Sequence, residues 1–115
     1  SPSWAGADYF MRHWTKVRSS GYYGRAREVL IYSKDYILQN RNTVGNSIAV
    51  GDVVLYLDGV DSKAYHANII STKYSMGSPM VFYCSHNNPA LDYDWFAYVN
   101  SLENTDWIVV IKIRN

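Results

Sequence analysis

The sequence predicts an α+β fold, an antiparallel sheet preceded by one helix. Three observations carry it. Apolar residues recur three or four apart over the first segment, and short apolar runs alternate with turn residues from Val50 onward. Eleven Tyr and four Trp suit a β-rich fold, or a surface that stacks on a ligand.

From Trp4 to Val17, the residues Ala7, Phe10, Met11, Trp14 and Val17 have helical spacing, with Ser3 placed as N-cap. Ser19 to Gly24 reads as a turn because of its two glycines. Arg27 to Asn40 stays open, since contiguous Val29, Leu30, Ile31 and Tyr32 fit a buried strand or a short helix. Asn42 to Asn46 carries loop residues. Asp52 to Leu57 (DVVLYL) reads as a strand closed by Asp58-Gly59, and Ala64 to Thr72 (AYHANIIST) as a second. Gly77 and Pro79 suggest a hairpin connection to a third, Met80 to Ser85, stopped by Asn87-Asn88-Pro89. Leu91 to Asn100 reads as one or two helical turns, and Trp107 to Ile113 (WIVVIKI) as the last strand.

The 115 residues show no linker or repeat and are expected to form a single domain spanning 1–115. At 48% hydrophobic and 18% charged, the chain has enough apolar surface for a core, which excludes wholesale disorder. A net charge of +1 gives no electrostatic footprint for nucleic acid or an anionic membrane. No apolar run approaches the roughly 20 residues of a membrane helix. The opening SPSW has neither the basic nor the apolar region of a secretory signal, so no targeting segment is expected. One cysteine, Cys84, excludes an internal disulfide framework and a Cys-rich zinc site.

Of the three histidines, His13 falls in the polar part of the first helix and reads as a surface residue. His66 begins one strand and His86, beside Asn87, ends the next. Should those strands pair, both rings would lie at one end of the sheet. There one ring can act as base, and the other group can fix its tautomer. Two histidines can also bind a metal, but no Asp, Glu or Cys has the short spacing that completes a ligand set. The alternative is that both rings simply face solvent. Trp4, Phe10 and Trp14 read as core, whereas Tyr22, Tyr23, Tyr65, Tyr74 and Tyr93 fall in or beside expected loops, placed to stack on sugar or peptide.

The stretch Ile48 to Tyr56 (IAVGDVVLY), followed by Tyr65 to Ile70 (YHANII), resembles the putative amidase domain family, bacterial relatives of the NlpC/P60 cysteine peptidases with a papain-like core. Val81 to Asn87 (VFYCSHN), Pro2-Ser3-Trp4 and Tyr9-Phe10 extend the likeness along nearly the whole chain. The resemblance implies that the sheet is the β part of a papain-like fold. It implies His66 as general base, with His86, or else Asn87, orienting its ring, and Asp52 as a structural residue. It also implies acyl transfer without a cofactor, on amides or peptides of the bacterial cell wall, outside the cell or at the wall. The family nucleophile is a cysteine in an Asp-Cys-x-Asn-Phe segment at a helix start, where amide dipoles lower the thiol pKa. No such segment occurs here, so the chain is expected to be the C-terminal portion of the domain, inactive alone. A strand residue such as Cys84 lacks that helix terminus and reads as a core thiol. The resemblance leaves two further expectations. A second polypeptide or a second copy would cover the sheet near His66, and a binding module on the same fold is the alternative to an enzyme.

Overall fold

The structure, a computed structural model, describes residues 17–18, 21–22, 26–75, 77–85 and 88–113. The helix expected over Trp4 to Val17 lies outside them, except that Val17 pairs as strand. That strand, β1 (Val17–Arg18), forms a small antiparallel pair with β2 (Gly21–Tyr22), so Gly21 and Tyr22, expected in a turn, are strand.

A six-stranded antiparallel sheet dominates the described residues, confirming the α+β class. Its strands are β3 (Ala26–Ser33), β4 (Val53–Leu57), β5 (Ala64–Tyr74), β6 (Met80–Ser85), β7 (Asn88–Asp94) and β8 (Trp107–Ile113). The spatial order is β3-β8-β4-β5-β6-β7. The open stretch before Asn40 resolves into β3 followed by a helix, α1 (Lys34–Gln39), whose N-cap Ser33 accepts from the Tyr36 amide at 3.1 Å.

Two expectations are corrected. The loop composition of Asn42 to Asn46 lies in a helix, α2 (Arg41–Ser47). Tertiary packing overrides propensity there: Val44 is wholly buried, and a Cβ built on Gly45 would stand 2.5 Å from the Pro79 ring. The segment Leu91 to Asn100 is also divided. The edge strand β7 runs to Asp94, and α3 (Trp95–Asn100) starts there, with the Asp94 carboxylate accepting from the Ala97 amide. Pro89 is tolerated in β7 because an edge strand does not need every N–H.

Alternation along the strands sorts the core into two faces. On the first, Tyr56, Val54, Ile70, Ile108 and Val110 meet the three described helices through Ile37, Val44, Trp95, Phe96 and Val99. On the second lie Leu55, Leu57, Ala64, Val109 and Ile111, of which Leu55 and Ile111 are wholly buried. The centre of this second face, on DVVLYL and WIVVIKI, is therefore shielded from solvent. Ile31 at its β3 margin and Ile69 at its β5 margin remain 64% and 47% exposed.

The entry to β4 explains the Gly-Asp pair. Gly51 has φ +95°, a left-handed conformation that glycine adopts without steric cost. Its amide donates to the Ile70 carbonyl, and the Ile70 amide donates to the Asp52 carbonyl. Asp52 is 5% exposed; its carboxylate accepts from the Ala49 amide at 2.8 Å and from the Lys112 ammonium. This corner locks the β4–β5 register that sets Tyr56 directly opposite His66.

Candidate active site

His66 sits in β5 on the helix-covered face, with Tyr56 as its cross-strand neighbour. The two rings are stacked, their centroids 5.9 Å apart and their planes 26° from parallel. Tyr98, carried by α3, tilts toward the imidazole at 5.9 Å and meets the Tyr56 ring edge-on at 4.9 Å. From Tyr98 the aromatic chain continues to Tyr83 at 5.2 Å and from Tyr83 to Tyr93 at 5.4 Å.

Below this surface the Tyr56 hydroxyl is held from two sides. The Trp95 indole N–H donates to it at 2.9 Å, and it donates to the Asn68 side-chain oxygen, also at 2.9 Å. Burial raises the Tyr56 pKa well above the ordinary value, so the group stays a neutral donor. The Asn68 Nδ2 is buried and finds no hydrogen-bond partner among the described residues.

Beside His66, Tyr65 donates to the buried Asp106 carboxylate at 2.6 Å. Burial, and then this hydrogen bond, push the Tyr65 phenol upward, while burial pushes Tyr98 to about 12. Tyr65 and Tyr98 line an open cleft of about 390 Å³ with Asp58, Ser101, Leu102, Glu103 and Asp106. Burial lowers the His66 pKa from its ordinary 6.5, which leaves the ring neutral and able to accept a proton at neutral pH.

The other expected site residues are placed as follows. His86 and Asn87 fall between β6 and β7, outside the described residues, as does the expected approach of His86 to His66. Cys84 is a free thiol on β6, paired with Ile69. Its neighbour Tyr83 pairs with Ile70 on the His66 face, so alternation turns Cys84 to the other side of the sheet. Among the described residues no three His, Cys, Asp or Glu side chains gather as a metal site, and no helix is long and apolar enough to cross a membrane.

Sequence reading missed the ring cage. Tyr56 was legible only as a strand residue, and Tyr98 only as part of a short helix. Asn68, two positions beyond His66, carried the one available signal, because alternation puts the two on one face.

The model of a family described as a putative amidase domain matches residues 1–111. The chain belongs to that family. No curated protein and no solved structure gave a match. Within this putative amidase domain, Gly51-Asp52 forms the register-setting corner and the histidine of the following strand enters the aromatic cage.

A pH consequence follows from the cage. The folded-state pKa of His66 lies below its unfolded value, so on acidification the unfolded chain takes up that proton first. The His66 contribution is fully kept above about 6.5 and lost as pH falls through and below that value. Urea midpoints at pH 7 and pH 5 should therefore differ less in His66→Gln than in the wild-type chain.

Proposed function

We propose that this chain supplies the histidine-bearing half of an amidase that hydrolyses amide bonds of bacterial cell-wall peptides, outside the cell or at the wall. The observation that carries the reading is His66: a neutral imidazole in the matched family's domain, half-sheltered by Tyr56 and Tyr98, and next in sequence to Tyr65, which lines an open cleft with Tyr98. In this reaction His66 takes the proton of a cysteine thiol, the thiolate attacks the amide carbonyl, and the imidazolium delivers that proton to the departing amine. His66 then takes a proton from water as that water attacks the thioester. His86, or else Asn87, orients the ring. The thiolate comes from a segment other than these 115 residues, because Cys84 faces away from His66. No cofactor enters the chemistry.

The tyrosine-lined cleft favours a second reading, a non-catalytic module that binds cell-wall peptides or proteins. One assay separates the two. The chain is joined to an Asp-Cys-x-Asn-Phe helix segment, fused ahead of Ser1 or added as a second polypeptide, and given a peptidoglycan-derived peptide. Release of new amine that disappears in His66→Ala is expected. Peptide binding with no amine release from either form would replace the enzyme with the binding module.

A further inference from the structure

We infer that Tyr56 and Tyr98 are positioning residues for His66, a slot of two rings that fixes the plane of the imidazole and shelters part of it from water. The inference rests on the reading of His66 as a base and concerns how the fold holds that base ready.

The geometry has three parts. Tyr56 is wholly buried and lies nearly parallel to the imidazole at 5.9 Å, so it forms a floor. Tyr98, half-buried, stands over both rings from α3 and forms a wall. The floor itself cannot slide, because Trp95 donates to its hydroxyl and Asn68 accepts from it, each at 2.9 Å. These two anchors come from different elements, α3 and β5, so the slot keeps its shape only while α3 stays docked on the sheet. Ring edges and faces in this range attract one another by roughly 0.5–1.5 kcal/mol per pair, enough to bias an imidazole toward one orientation.

Among the described residues, the titratable groups nearest the ring are phenols: Tyr56 from β4 and Tyr98 from α3, with Tyr83 from β6 one ring further out and Tyr65 the preceding residue on the same strand. The Asp106 carboxylate is engaged by the Tyr65 hydroxyl. Aromatic faces attract a cationic imidazolium, which favours protonation. Exclusion of water disfavours it. Burial displaces the His66 pKa downward. Opening the slot should therefore make the ring easier to protonate.

The test is an NMR titration of the His66 ring protons in the intact chain, assigned by their disappearance in His66→Gln. Tyr98→Leu and Tyr56→Leu each remove a ring while keeping apolar bulk. In both, the His66 midpoint should rise toward the ordinary histidine value, and its ring protons should lose the shielding of the neighbouring rings. Tyr98→Phe keeps the wall and should titrate like the wild-type chain. In the chain supplied with a cysteine segment, the acid limb of the pH–rate profile should move with the NMR midpoint. Midpoint and ring-proton shifts unchanged in Tyr98→Leu, the half-exposed position, would overturn the inference. The titration needs no turnover, so a chain that cleaves no amide but shows these shifts would refute the amidase reading and leave the slot standing.

Discussion

Lys112→Ala should cost about 3–5 kcal/mol of folding stability, read as a lowered urea midpoint at unchanged slope. Lys112 lies in β8, 5% exposed, with its ammonium on the Asp52 carboxylate and the Ser47 carbonyl. Removing it leaves Asp52, equally buried, as an uncompensated charge whose remaining partner is the Ala49 amide. A buried pair gains little over an apolar replacement of both members, but breaking one member strands the other. The double variant Lys112→Met with Asp52→Leu should therefore be less destabilised than the sum of its single changes. The effect reaches the site, because the backbone of Gly51 and Asp52 is paired with Ile70 and holds the register that sets Tyr56 opposite His66.

His66→Ala should lower amide hydrolysis by the cysteine-supplied protein by about a thousandfold, in kcat rather than in KM. A general base acts on the transition state, whereas the proposed peptide site is the cleft bounded by Tyr65 and Tyr98. Truncation leaves the cleft lining in place and removes only the proton acceptor. Cys84→Ser should leave the same rate unchanged, because that thiol lies on the other side of the sheet. Steady-state kinetics on one peptide substrate check both variants.

The strands were legible in the sequence where one mechanism dominated. DVVLYL, AYHANIIST and WIVVIKI each combine β-branched runs with bounding turn residues, and the observed strands begin or end within two residues of those expectations. What failed was local chemistry overruled at a distance. Asn42 to Asn46 is helical because Val44 and Gly45 pack into the core and against Pro79, a contact that no local pattern encodes. Asn88 and Pro89 look like a stop, yet they open an edge strand whose partner β6 supplies the pairing. His66 could be singled out from its neighbours in sequence and from the family resemblance. Its cage could not, since Tyr56 and Tyr98 meet it, and Trp95 holds the Tyr56 hydroxyl, only after β4, β5 and α3 have packed. The side on which Cys84 falls depends in the same way on the β5–β6 register, which needs the folded sheet.

The central claim is that His66 is a base whose nucleophile lies outside these residues, and one measurement addresses it most directly. The 115-residue chain, at high concentration, is incubated with a peptidoglycan-derived peptide, and new amine is followed for days beside His66→Ala and Cys84→Ser. The account predicts no release above the His66→Ala level in any sample. Clear hydrolysis by the chain itself, abolished by Cys84→Ser, would contradict it.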